Sequence, residues 1–172
     1  VLEGVPTGIA MITVGENDNT IIVVPGANGK VDRDYIDRIK EALPRTEHVV
    51  VMGAGLVGLD TVSGLLENDV KPVVVELADH LLCRQLDKKA AAVYEAAMSE
   101  KGVRQYYGTG VQELFCDREG NVKELLLSDG SRIPCDLLIV TAGVRANVEF
   151  LEGCQVETDR FGLLFEETGE TN

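Results

Sequence analysis

Apolar and polar positions change period several times along the chain. Ile9 to Val14 and Thr20 to Val24 are two β-rich runs separated by Gly15-Glu-Asn-Asp-Asn19, which predicts a β-hairpin. Pro25-Gly26-Ala27-Asn28-Gly29 breaks the second run. Asp32 or Asp34 can then cap a short amphipathic helix through Ile36, Ile39 and Leu43 that Pro44 stops. From Glu47 onward, buried-strand runs alternate with helical spacing: strand 48–52, helix 55–67, strand 71–76, helix 87–100 and strand 103–107. Two such βαβ steps predict a parallel sheet with helices packed on it, a Rossmann-type core. The first helix places Leu59, Val62, Leu65 and Leu66 at helical spacing. The second carries Ala90, Val93, Tyr94 and Ala97 on one face, with Lys88, Lys89, Glu95 and Glu100 on the others, and Gly102 ends it.

The runs that follow are too short for helices. Gly110 to Phe115, Val122 to Ser128 and Arg132-Ile133 are separated by Asp117-Arg-Glu-Gly-Asn121 and by Asp129-Gly130, and predict an antiparallel meander with a structural role. Asp136-Leu-Leu-Ile-Val-Thr-Ala-Gly-Val-Arg145 is one more buried strand leading into a glycine turn. The fold class is therefore α/β: a Rossmann-type parallel sheet with an antiparallel meander insertion, plus an N-terminal β-hairpin and helix. The expected organisation is a hairpin segment over 1–33, a connecting helix over 34–46, the Rossmann domain over 47–150 and a return segment over 151–172.

The chemistry concentrates where the first parallel strand becomes a helix. Val49-Val-Val-Met52 runs straight into Gly53-x-Gly55-x-x-Gly58. Gly53 permits a tight turn, Gly55 removes the side chain that would keep a phosphate from the backbone, and Gly58 lets helix and strand pack closely. The helix then aims its free N–H groups and positive dipole end at an anion. The second apolar run ends in Glu76, 23 positions beyond Gly53, close to where an acid meets the adenosine ribose hydroxyls of a dinucleotide. A carboxylate there accepts hydrogen bonds from a diol and repels a 2′-phosphate, so the expected cofactor is NAD rather than NADP.

Composition narrows the picture further. With 29 acids against 16 bases over 172 residues, the net charge is −13, which argues against nucleic acid or an anionic membrane as partner. Apolar runs of about six residues predict no membrane span, and with no signal series the expected location is the cytoplasm. Cys83, Cys116, Cys135 and Cys154 lie 33, 19 and 19 residues apart, without zinc or C-x-x-C redox spacing, and are expected as buried or semi-buried free thiols. His48 and His80 alone give little support to a histidine metal site, and no metal is expected.

Residues 37 to 172 resemble the NAD-binding domain, with the start of the returning segment, of the FAD-dependent pyridine nucleotide-disulfide oxidoreductase family. The resemblance rests on Asp37-Arg-Ile-Lys-Glu-Ala-Leu43, Val51-Met-Gly-Ala-Gly-Leu-Val-Gly-Leu-Asp60, Val75-Glu-Leu-Ala-Asp-His-Leu-Leu82 and Asp136-Leu-Leu-Ile-Val-Thr-Ala-Gly-Val-Arg-Ala-Asn147. It implies a pyrophosphate over Gly55, Leu56 and Val57, the adenosine ribose on Glu76 with Gln85 by the adenosine, and the nicotinamide near Asp60 and the Ala142-Gly143 turn. The family commonly has Glu at the place of Asp60 and Pro at that of Ala146. A shorter acid reaches less far, and losing proline loosens the turn by a few tenths to about 1 kcal/mol. The resemblance further implies a flavoprotein oxidoreductase, with FAD only if a flavin domain missing from this chain is supplied, since the family's flavin motifs do not occur here. The expected partners are NAD(H) and either a flavin-binding domain or, through the hairpin, a second copy of the chain.

The opening segment resembles the sugar-covering hairpin of the ribokinase family, in Val5-Pro-Thr-Gly-Ile-Ala-Met-Ile-Thr-Val14 and Asn19-Thr-Ile-Ile-Val-Val-Pro-Gly-Ala-Asn28. That resemblance implies Ala10, Ile12 and Val23 near a sugar; the family's phosphate-cradling and catalytic-base motifs do not occur, so no kinase activity is expected. Three readings follow: an NAD(H)-binding module of an FAD/NAD-dependent oxidoreductase, a sugar-kinase-related fragment, or an engineered or incomplete α/β chimera without activity of its own.

Overall fold

The computed structural model describes residues 4–15, 18–42, 46–144, 146–159 and 162–171, the side chains of Ile39 and Ala42 excepted. Of the residues singled out above, Glu16, Asn17, Leu43, Pro44, Arg145 and the side chain of Ile39 lie outside this description. The chain divides into two compact units, Val1–Glu47 and His48–Asn172.

In the first unit β1 (Ile9–Val14) and β2 (Asn19–Val24) form an antiparallel hairpin in register from Ile9 opposite Val24 to Val14 opposite Asn19. Gly15 N donates to Asp18 O at the turn. A 3-10 turn over Gly26–Lys30 precedes α1 (Arg33–Ala42), and of the two candidate caps it is Asp32 whose carboxylate accepts from Tyr35 N at 2.9 Å.

The second unit carries the parallel sheet. β3 (Val49–Met52), β4 (Val73–Glu76), β5 (Arg104–Tyr107) and, after the meander, β9 (Leu137–Val140) pair in parallel in the order β5-β4-β3-β9. β6 (Val111–Cys116), β7 (Val122–Leu127) and β8 (Arg132–Pro134) form the antiparallel meander, with bulges in the β6–β7 ladder. Strand alternation sends neighbouring side chains to opposite faces. Val50, Val73 and Val75 meet Leu125, Leu127, Ile133 and Cys135 of the meander segment in one apolar cluster. Val49, Val51 and Val74 are equally buried and point to the other face, where α2 (Leu56–Glu67) lies against β3 and α3 (Lys88–Glu100) against β5. The architecture is meander, parallel sheet, helices.

Val62 and Leu65 are the buried apolar positions of α2, with Leu59 and Leu66 half-buried beside them. The expected face of α3 is corrected. Ala91 and Met98 are buried, whereas Val93 and Tyr94 are 69% and 53% exposed. Ala90, Ala91, Ala92, Ala96 and Ala97 blur the apolar stripe in the sequence, and the sheet takes the narrow Ala91 side because it permits close approach. Glu95, expected outside, is half-buried and its Oε1 has no hydrogen-bond partner. Gly102, at φ +84, ends the helix as expected.

Asp87 caps α3 by accepting from Ala90 N at 2.8 Å. Asp87→Ala is expected to cost about 1 kcal/mol of stability, read as a lower urea midpoint at unchanged slope.

The four cysteines are free thiols as expected, but their expected burial is corrected for three of them. Cys135 is buried, and burial, with the charge of Asp136 beside it, pushes its thiol up to about 11. Cys83, Cys116 and Cys154 are free and exposed, because the first sits in a loop beside β4, the second at the outer end of β6 and the third in the return segment. That segment holds a short β10 (Thr158–Asp159) and β11 (Gly162–Leu163) pair. Among the described residues no helix is long and apolar enough to cross a membrane.

Candidate functional site

The turn between β3 and α2 is fixed from three sides. Gly53 sits at φ +112, and its N–H donates to Val75 O at 2.8 Å, extending the ladder to β4. On the β9 side Thr141 N donates to Met52 O at 2.8 Å, and the Thr141 hydroxyl lies 3.0 Å from both Met52 O and Gly53 O. Behind the turn stands Gly58, where a Cβ would lie 2.0 Å from Gly53 O. The front is open. A Cβ built on Gly55 meets no atom within 4 Å, and Gly55 starts α2 in extended conformation with no side-chain cap. The first-turn amides of Leu56 and Val57 therefore have no intrahelical acceptor, and both residues line a cleft.

The acid at the end of β4 is turned toward this loop. One carboxylate oxygen of Glu76 accepts from Ala54 N at 2.6 Å and the other from Ala78 N at 2.7 Å. Each oxygen retains capacity for a further donor. Beyond it, Leu82 N donates to Ala54 O at 2.9 Å, so the loop after β4 is tied to the glycine turn, and Cys83, Arg84 and Gln85 project along the cleft wall. The far wall comes from the meander. Thr109 N donates to Glu76 O at 3.2 Å, the Thr109 and Ser128 hydroxyls are 3.0 Å apart, and Gly110 N donates to Ser128 Oγ at 3.0 Å.

These walls enclose about 800 Å³, within the range of small-molecule and cofactor pockets. Of the residues expected at a dinucleotide site, Gly53, Gly55, Leu56, Val57, Glu76, Gln85, Ala142 and Gly143 line it. Gly58 supports the turn from behind, and Asp60, exposed on the next turn of α2, is not among the lining residues. The structure adds Arg84, Cys83, Thr109, Gln112, Ser128 and Thr141. Arg84 was legible as the arginine that follows the strand-end acid in the next loop. Thr109 and Ser128 were not, since only tertiary packing joins them. Among the described lining residues Arg84 is the one cation and Glu76 the one acid.

A three-layer unit with a glycine turn and a strand-end acid on one cleft defines a Rossmann-type class of protein. The family model for pyridine nucleotide-disulphide oxidoreductases matches residues 9–172, and the chain belongs to that family. The monodehydroascorbate reductase of Pisum sativum is 31% identical over 166 residues, 92% of this chain and 37% of the relative. The ferredoxin–NAD(+) reductase component of the biphenyl dioxygenase system of Paraburkholderia xenovorans is 28% identical over 142 residues, 81% of this chain and 34% of the relative. Among solved structures, a ferredoxin reductase from Rhodopseudomonas palustris superposes with a TM-score of 0.68 at 30% identity, covering 78% of this chain and 33% of that one. Putidaredoxin reductase, in a covalent complex with putidaredoxin, gives 0.63 at 27%, covering 72% and 30%. The chain thus spans little more than a third of these relatives at most.

The match begins at residue 9 and takes in both strands of the N-terminal hairpin. The ribokinase-like origin of that hairpin, and the chimera built on it, are not supported. Two β-branched runs around a Gly/Asn turn serve many folds and identify none.

Proposed function

We propose that the second unit is the NAD(H)-binding module of an FAD/NAD-dependent oxidoreductase, positioning the nicotinamide for hydride transfer to a flavin held elsewhere. The observation that carries this reading is the pairing of Glu76 with the glycine turn: its carboxylate accepts from Ala54 N beside an open Gly55. The donor set fits the cofactor. Amides of Gly55, Leu56 and Val57 at a helix start suit a pyrophosphate, Glu76 suits the adenosine ribose hydroxyls, and Gln85 with the Thr109–Ser128 wall borders the adenosine end. The other end of the cleft reaches Ala142 and Gly143, which would face the nicotinamide. When bound, NADH supplies a hydride to its acceptor, in this reading FAD. The protein supplies binding, orientation and a wall against water.

Glu76 and Arg84 oppose each other in choosing between NAD and NADP. Glu76 is fixed by two backbone donors, whereas Arg84 is exposed, so the fixed charge decides and NAD is favoured. Calorimetric titration of the full chain tests this: saturable NADH binding at least about tenfold tighter than NADPH is expected, a difference of about 1.4 kcal/mol. Gly55→Val is expected to keep the fold, since its side chain enters open space, and to weaken NADH by about tenfold or more by holding the pyrophosphate off the amides. No NADH binding, or equal NADPH binding, would overturn the reading.

A further inference from the structure

Both ring nitrogens of His80 face hydrogen-bond acceptors. Nδ1 lies 2.5 Å from Asp79 Oδ1, and Nε2 lies 3.0 Å from the carbonyl oxygen of Leu86. A carbonyl oxygen only accepts, and so does an ionised carboxylate. The two contacts are therefore hydrogen bonds together only when both nitrogens carry protons, and the site is built for the imidazolium. Lys88, at the start of α3, pairs with the other oxygen of Asp79. Hydrogen bonds from Lys88 and then His80 hold the Asp79 carboxyl below its ordinary value, which keeps it ionised. The Asp79 contact first, and the Leu86 carbonyl second, raise His80 above its ordinary 6.5, while partial burial and, less strongly, the charge of Lys88 work against them. Asp79 in its own loop and Lys88 on α3 are the charged groups described around the ring.

The His80 bridge spans the loop that supplies one wall of the cleft. Leu81 is fully buried below it. Leu82 adopts a left-handed φ of +49, and its carbonyl accepts from Gln85 N and Leu86 N at 2.7 and 2.9 Å. The same residue donates to Ala54 O in the glycine turn. Cys83, Arg84 and Gln85 are carried between these ties, facing the cleft.

We propose that His80 is a positioning residue for the nucleotide cleft: its imidazolium ties Asp79 to Leu86 across the base of the loop, and deprotonation frees the Leu86 end. A neutral ring keeps one N–H, which stays with the doubly engaged Asp79, and leaves a bare nitrogen facing the Leu86 oxygen. The wall carrying Arg84 and Gln85 then loosens, and nucleotide binding weakens. The tie is complete below the pKa of His80 and is lost as pH rises through it, so binding is tighter below that value than above it. The ligand half of this proposal rests on the NAD(H) reading; the loop tie does not.

The test has two arms on the full chain. In the first, without nucleotide, NMR follows the His80 ring through titration, assigned against His48→Gln, together with hydrogen exchange at the Gln85 and Leu86 amides. A ring titrating above 6.5, with amide protection falling over the same pH range, is expected. In the second, the NADH dissociation constant is measured from pH 6 to 9. It is expected to rise about three- to tenfold, the effect of losing one hydrogen bond. His80→Gln should flatten the profile at the weak level, and His80→Arg, which keeps charge and two donors, at the tight one. A ring titrating at or below 6.5, protection that does not follow it, or a His80→Gln profile matching the unmodified chain overturns the proposal. Absence of NADH binding at every pH, with pH-dependent protection intact, sinks the NAD(H) reading and the ligand half while sustaining the loop tie.

Discussion

Replacing Gly53 with alanine is expected to remove about 2–6 kcal/mol of stability from the second unit, a large part of the roughly 5–15 kcal/mol a domain possesses. Two costs combine. At φ +112 an L-residue is strained, a cost of order 1–3 kcal/mol. The new Cβ would also lie 2.7 Å from Thr141 O, and 2.9 Å from the carbonyl carbon and from Oγ1 of the same residue. Overpacking of this kind costs about 1–3 kcal/mol. The obstacle is backbone, so no rotamer change relieves it. Thr141 cannot retreat without stretching its bonds to Met52 O and Gly53 O, which join β9 to β3. Urea denaturation followed by far-UV circular dichroism measures the loss. Gly55→Ala is the control: its Cβ meets nothing within 4 Å, and its midpoint should shift little. Equal midpoints for the two alanine variants would show that the turn does not hold the geometry described.

That contrast shows why the glycine turn could be read in the sequence while its surroundings could not. A strand buried on both faces reads as an unbroken apolar run, and Val49 to Met52 is such a run, so the place where helical spacing begins marks the turn. Glu76 was legible for the same reason, as the polar residue ending the next run. Thr141 was not: it reads as one more residue of the last strand, and its bonds to Met52 and Gly53 span 89 and 88 positions. The meander was legible from turn spacing, but its share of the cleft was not. Thr109 and Ser128, 19 positions apart, meet only after β6 and β7 fold back on β4. In α3 the alanines made several faces equally plausible, and sheet packing chose the one with Ala91 and Met98. The hairpin erred in the opposite way: its structure was readable and its ancestry was not, because β-branched alternation is set by pairing geometry shared across families.

Removing the carboxylate of Glu76 is expected to produce the largest change in ligand choice. Charge-assisted hydrogen bonds are each worth about 1.5–3 kcal/mol, so Glu76→Ala should weaken NADH by about 10- to 150-fold while sparing NADPH a repulsion it otherwise meets. Alanine also strands the amides of Ala54 and Ala78, which now bond the carboxylate at 2.6 and 2.7 Å, so about 1–2 kcal/mol of stability should go with it. Glu76→Gln lessens the second effect without removing it: its one oxygen still accepts from one of the two amides, while its NH2 leaves the other unpaired. It retains the length of the side chain and one oxygen acceptor but no charge, so NADH should weaken only several-fold, while the NADPH-to-NADH affinity ratio rises further than the NADH loss alone accounts for. Calorimetric titration of both variants with both nucleotides at one pH, with circular dichroism to verify folding, reads the comparison directly. An unchanged ratio in Glu76→Gln would reduce this residue to a prop for the glycine turn and pass the choice of nucleotide to Arg84. That arginine lines the same cleft, and its exposed guanidinium is suited to a 2′-phosphate only when no fixed carboxylate stands beside it.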